Sequence, residues 1–283
     1  MVSTRASPTG APPTRVSLRL AGCRLLHLGT GSCCYTRGHV LEARNCEFLS
    51  DLRSIGWDTS TGGETCLIDN CLIVVSNSGA ITLGGEELKR LSVRLTRNTV
   101  LSTGAAMQVW EGCTPSRLET ADNIFATPST FSLTQLTRPD WKGARETDAE
   151  ALLRRVVTWS EKRNMYAPGA ASMHWTVDWQ PEKPHGPTTL VDWNRYWKQT
   201  GTGSLEGRVS FAGGNLLAQR TSAPEKLTPD DFRLRPDSAG YQAGKDKQDL
   251  GADVDLVGPG AAYERWKKLP EYQQWLEDKG QEK

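Results

Sequence analysis

The chain has no uninterrupted apolar stretch of 18 residues, so nothing in it reads as a membrane-spanning helix. It also lacks an excess of either charge. The 34 basic residues meet 33 acidic ones for a net charge of +1, which removes the electrostatic footprint of a nucleic-acid binder. No HExxH, GxSxG or Walker sequence occurs, and the cysteines lack the CxxC spacing of a metal site, so no metal or cofactor is expected. Catalytic motifs of a protein kinase are missing as well. Acidic residues are absent before Glu42, while five arginines precede it (Arg5, Arg15, Arg19, Arg24, Arg37). Leu20-Ala21-Gly22-Cys23 has the letters of a lipoprotein cleavage box. Arg15 and Arg19, however, interrupt what should be its apolar lead, so no export signal is read and the cytoplasm is the default expectation.

Cysteine and tryptophan are unevenly placed. All seven cysteines lie before residue 114, and eight of the ten tryptophans lie after residue 140. Hydrophobic residues make up 37% of 283 positions, enough for a substantial core.

Self-similarity sets the fold. Asn45, Asn70, Asn98, Asn123, Asn164 and Asn215 each follow a polar or turn residue and precede small or apolar ones, and an earlier copy lies at Gly22-Cys23. Period-two stretches precede most of them: Leu18 and Leu20, Val40 and Glu42, Cys66 and Ile68, Val93 and Leu95. Glycine- and serine-rich breaks separate the units, with no amphipathic helix between them. This predicts an all-β, right-handed parallel β-helix solenoid over residues 15–258. A disordered arm over 1–14 should precede it, and a short helical tail over 259–283 should pack on it. The asparagines are expected to stack from coil to coil as one ladder, because Asn tolerates the left-handed conformation and can satisfy backbone groups at a corner. Cys23, Cys46 and Cys71, each following such a position, should form an inward column of reduced thiols.

A Trp-rich insertion near 165–200 carries the densest chemistry. Trp175, Trp179, Trp193, Tyr196 and Trp197 could stack on sugar rings, with Arg195 to bond hydroxyls or carboxylates. Asp178 and Asp192 are the candidate catalytic pair, since glycosidic cleavage needs two carboxylates at a set separation. Packing of the same aromatics against the solenoid is the competing expectation.

The stretch Asp231-Phe232-Arg233-Leu234-Arg235-Pro236-Asp237-Ser238-Ala239, with Ala243-Gly244 and Asp249-Leu250-Gly251-Ala252-Asp253, resembles the closing segment of pectate-lyase-like right-handed β-helix proteins. It departs from that pattern at Ala239, where the family has proline. Residues 253–260 and Tyr263 to Trp275 are similar to β-helix tails carried by bacterial serine/threonine kinase chains. The resemblance implies a solenoid closure and no active site. The functional expectation is therefore a non-catalytic, monomeric module that binds a polysaccharide or a protein partner, and the kinase-tail likeness implies membership of a larger signalling chain. The alternative is a polysaccharide lyase or glycoside hydrolase.

Overall fold

A computed structural model describes residues 2–4, 17–29, 31–37, 40–58, 64–84, 91–110, 116–134, 157–177, 180–181 and 186–280. The chain is an all-β parallel solenoid with a short helical tail. Strands recur in threes: β2 (Ser17–Ala21), β3 (Arg24–His27) and β4 (Ser32–Arg37), then β5 (Val40–Arg44), β6 (Glu47–Ser50) and β7 (Arg53–Asp58). Next come β8 (Glu64–Asp69), β9 (Leu72–Val75) and β10 (Ile81–Gly84), followed by β11 (Leu91–Thr96), β12 (Thr99–Ser102) and β13 (Ala105–Trp110). The upper coils use β14 (Ser116–Ala121), β15 (Ile124–Ala126), β16 (Ser129–Thr134), β17 (Val157–Lys162), β18 (Met165–Tyr166) and β19 (Met173–Val177). β20 (Gln180–Pro181) turns back antiparallel on β19, and β21 (Leu205–Glu206) adds a last parallel rung beside β18.

The first strand of each triplet builds sheet B, the second sheet C and the third sheet A. Val2–Thr4 forms β1 beside β4 on sheet A, so the arm expected to be without structure contributes a strand; residues 5–16 lie outside the described residues. The last rung is at Glu206, so the paired coils stop well short of residue 258. Beyond it come α1's successors: α1 itself is Leu190–Tyr196, α2 is Leu216–Ser222, α3 is Ala261–Trp266 and α4 is Pro270–Gly280.

Parallel pairing makes side chains in the same register stack, so the lumen is a set of columns. On sheet B, Leu18, Leu41, Cys66, Val93, Leu118 and Trp159 form one of them. At β5 the inward parity is one residue off the expected alternation: Leu41 and Ala43 face the core there, whereas Val40 and Glu42 occupy the other face.

The corner from sheet B to sheet C is the tightest repeat. One residue adopts a left-handed conformation (Gly22, Asn45, Asn70, Arg97, Asp122, Arg163; φ from 51° to 58°), and its N–H bonds the preceding residue's carbonyl in the next coil. The following residue points inward. Strand register therefore aligns Cys23, Cys46 and Cys71 with Asn98, Asn123, Asn164 and finally Ser204. The single asparagine stack expected from spacing is corrected here. Asn45 and Asn70 hold the left-handed position, the next three asparagines hold the inward one, and Asn215 is the N-cap of α2. Asn tolerates the first role by conformation and serves the second by hydrogen bonding, so the two look alike in sequence.

From β6 to β18 both faces of sheet C are buried. Phe48, Ile73, Val75, Val100 and Phe125 face the lumen, while Leu49, Leu72, Val74, Leu101, Ile124 and Met165 face a strap formed by residues 207–258. Doubly buried strands read as continuous apolar runs, as in Leu72-Ile73-Val74-Val75. The strap descends the corner between sheets B and C, coil by coil. Gly251 N–H reaches Asp122 O (2.8 Å), Ala252 N–H reaches Thr99 Oγ1 (3.0 Å), Asp253 N–H reaches Asn70 Oδ1 (2.6 Å), and Gly258 N–H reaches Asn45 O (2.9 Å). Gly251 is required: a Cβ there would stand 2.5 Å from Thr99 Oγ1, and its φ is +86°. The tail helices finish the descent, with Trp266, Tyr272 and Trp275 clustered and the Tyr263 ring over Gly22.

Candidate functional site

Sheet B is the counterpart of sheet C, and among the described residues nothing covers its outer face in the upper coils. Alternation is complete along β17, where Val157, Trp159 and Glu161 are buried and Thr158, Ser160 and Lys162 are exposed. Across coils, the outward columns run Arg94–Glu119–Ser160 and Thr96–Ala121–Lys162. Above β17 the segment Thr200–Thr202 lies in the place of a further strand: Arg163 N–H bonds Thr202 O (2.8 Å), and the Gln199 amide bonds Trp159 O (3.2 Å). Arg94, Thr96, Glu119, Ser160, Lys162 and Thr200–Thr202 line a groove of about 440 Å³.

The groove carries mixed charge and many hydroxyls. Arg94 and Arg117 both reach the Glu119 carboxylate, Arg94 at 3.1 Å. Lys162 adds a further cation, and Thr96, Ser160, Thr200 and Thr202 provide hydroxyl donors and acceptors. At the groove's edge Arg163 is held bidentate by Asp122 (2.6 and 2.7 Å), which offsets placing a long side chain in left-handed backbone. Successive coils are spaced by about 4.8 Å, so equivalent groups recur at that interval along the solenoid axis. Such an arrangement can hydrogen-bond an extended, polyhydroxylated ligand laid across the coils.

The residues singled out from sequence do not converge on this groove. Trp193 and Tyr196 on one face of α1, and Trp197 at its C-cap, are buried, with Trp193 fully so. They close the upper end of the lumen. Trp193 packs against Trp159 (ring centroids 5.4 Å apart) and Phe131 (5.8 Å), and Trp197 packs against Tyr196 (4.8 Å). A ring that stacks on a sugar needs an open face, so their assignment as ligand-binding residues is corrected to core packing. Arg195 and Asp192 lie on the solvent side of α1 and pair with each other. Asp192 also takes the Thr189 hydroxyl (2.9 Å), and Thr189 first, then Arg195, lowers its pKa. A carboxyl held ionised and solvated is a poor general acid. Asp178 and Trp179 lie outside the described residues. Trp175 shares the register position of Leu133 on sheet A, and its side chain is outside the described set.

The structure adds a group that sequence reasoning missed. Glu161 projects into the closed end of the lumen, where its Oε2 accepts from Trp159 Nε1 (3.2 Å), Trp193 Nε1 (3.2 Å) and the Tyr166 hydroxyl. Burial, with Glu161 beside it, drives the Tyr166 pKa well above its usual value. The phenol therefore stays a donor, and the cage anchors α1. The signal in the sequence was the parity of Val157-Thr158-Trp159-Ser160-Glu161, which places an acid on the apolar face.

A second cavity, of about 380 Å³, lies between the strap and α4, with Phe232, Leu250 and Leu269 on its wall. Arg97 and Arg233 border it, and each is already paired: Arg97 with Asp69 and Glu271, Arg233 with Asp230 and Asp255. Among the described residues no group of three or more His, Cys, Asp or Glu could hold a metal ion, and no helix is long and apolar enough to cross a membrane.

No family model, curated protein or solved structure matches this chain.

Proposed function

We propose that the chain is a non-catalytic β-solenoid module whose sheet B groove binds an extended carbohydrate. The observation that carries this reading is the contrast between the two outer faces. The chain covers the apolar face of sheet C with its own strap, while the upper part of sheet B presents cations, a carboxylate and hydroxyls across consecutive coils. Rigid solenoids offer flat surfaces that suit long ligands without reordering on binding.

The test is a glycan array probed with the full chain, followed by Arg94→Ala/Lys162→Ala. Both side chains are exposed, so the double variant should keep the parent's unfolding curve and lose at least tenfold in affinity for any glycan that binds. Unchanged affinity would reject the groove as the site. Binding to a protein partner in place of glycan would show as an empty array with the same variant sensitivity in the partner assay.

A polysaccharide lyase or glycoside hydrolase is the second reading, and the Glu119 carboxylate lining the sheet B groove is the group that favours it. Its nominated pair is weakened by the solvated, Arg195-paired state of Asp192. New ultraviolet absorbance or new reducing ends on a polysaccharide panel would favour it. The likeness of the tail to β-helix regions of bacterial kinase chains supports placing the module in a larger signalling protein.

A further inference from the structure

The seam between sheet C and the strap is apolar, built from Leu49, Leu72, Leu227 and Phe232, yet it holds a carboxylate. Glu47 opens β6 on the outer face and is only 1% exposed. Its Oε2 faces Arg24 Nε at 3.2 Å, and its Oε1 has no hydrogen-bond partner. Arg24 is the tie between the first coil and the strap, since its Nη2 donates to Leu227 O (2.7 Å) and Pro224 O (3.2 Å). From the strap side Asp231 brings a second negative charge, fixed by the Thr228 N–H (2.8 Å) and hydroxyl (2.9 Å). The charged groups acting on Glu47 are thus Arg24 from β3 and Asp231 from the strap, while its neighbour in the next coil, Leu72, is uncharged.

We propose that residues 216–233 form a pH-sensitive latch on sheet C, with Glu47 as the titrating group: the latch holds while Glu47 is protonated and loosens as it ionises. A neutral carboxyl suits the dry seam, and Arg24 keeps its two strap carbonyls. An ionised carboxylate leaves a charged oxygen without a donor beside a second acid, which favours separation of the strap from the first coils. A second tie, from the buried Arg220 of α2 to His27 O (3.1 Å) and Asp51 (3.0 Å), keeps the segment attached to the solenoid when the first tie weakens. Loosening exposes the outer apolar side chains Leu49 and Leu72.

The sign follows from linkage. Burial, opposed by Arg24 and reinforced by Asp231, pushes Glu47 from an ordinary 4.5 to about 7. Opening returns the carboxyl to water and its pKa to the ordinary range, so opening releases a proton. The closed state is therefore favoured at low pH and loses ground from about pH 4.5 to about 7, then levels off.

Hydrogen exchange on the full chain from pH 5 to 8, corrected for intrinsic chemistry, tests this at the amides of Leu227, Asp231 and Arg233, with Asn98 in the solenoid as reference. Their opening constants should rise on the order of 50- to 100-fold relative to Asn98. Glu47→Gln should be flat over the same range. Asp231→Asn, which removes the second acid, should move the rise to lower pH. A parent profile without the rise, or a Glu47→Gln profile identical to the parent's, overturns the latch. If Glu47→Gln fails to fold, an unmoved rise in Asp231→Asn overturns it.

Discussion

One inward column at the sheet B to sheet C corner is made of thiols in the first three coils and of carboxamides in the next three. The backbone is the same in both, with a left-handed residue preceding each position. The bonding differs. In the upper half each Asn Oδ1 accepts a main-chain N–H from the coil before it: Asn98 from Cys71 (2.9 Å), Asn123 from Asn98 (2.9 Å), and Asn164 from Asn123 (3.0 Å). Each Nδ2 is also used, as in Asn98 to Ile68 O (2.8 Å) and Asn123 to Leu95 O (2.9 Å). In the lower half each thiol donates to the carbonyl two residues back, Cys46 to Arg44 O (3.1 Å) and Cys71 to Asp69 O (3.3 Å), and reaches the neighbouring coil only through sulfur contacts, Cys71 to Ala43 O (3.6 Å) and Cys23 with the Cys46 thiol. The carboxamides cross-link coils through main-chain N–H groups, whereas the thiols fill space and make only weak sulfur bonds. Correspondingly, the outer left-handed positions are Gly22 and then two carboxamides in the lower half, where Asn70 serves the strap at Asp253, and ionic in the upper half, where Arg97 and Arg163 pair with acids one coil away.

This difference orders the expected effects of substitution. Asn123→Leu breaks the column most, because it removes the acceptor for the buried Asn98 N–H and the donor to Leu95 O. Two unsatisfied buried groups make the loss about 3 kcal/mol, read from the urea midpoint at constant slope. A loss under 1 kcal/mol would show that the carboxamides are space-fillers like the thiols. Cys71→Ser is milder, about 1 kcal/mol, because the hydroxyl inherits the donation to Asp69 O and loses only apolar packing. Cys71→Ala should cost a similar amount through the small cavity left behind. A Cys71→Ser penalty as large as that of Asn123→Leu would erase the distinction between the halves.

The smallest perturbation is chemical. Thiol labelling of the folded chain should be slow, because burial pushes Cys33 up to about 11 and Cys34 up to about 12. Cys23 is raised further, first by its bond to the Cys46 thiol and then by burial, although it is only partly buried. Its partial exposure nevertheless lets a reagent reach it, so it should react before the fully buried Cys66 and Cys71. Simultaneous fast labelling of Cys23, Cys46 and Cys71 would dissolve the column.

The coil period was readable because each corner must contain a residue that tolerates left-handed backbone and an inward one that is small or able to bond. The alternation in β8 and β11 was equally direct, with Cys66 and Ile68, then Val93 and Leu95, all in the core. The aromatic segment misled for a simple reason. Trp193, Tyr196 and Trp197 have the spacing of a helix face, and nothing local says whether that face meets a ligand or the open end of a lumen. The motif from Asp231 to Asp253 resembles a closing segment, and nothing local in it shows that it lies over sheet C.

The amino-acid sequence by itself determined the repeating geometry: strand, left-handed corner, inward residue, strand. Those choices are local, because backbone conformation and side-chain parity are fixed within a few residues. Only the tertiary structure decided which asparagines align, since a one-residue offset between Asn70 and Asn98 appears only when strands pair. It also decided which face stays open. Sheet C from β6 to β15 is dry because residues more than a hundred positions away lie on it, and among the described residues none lie on the upper part of sheet B. Burial of an outer face is a property of distant segments meeting, and no local pattern records the meeting.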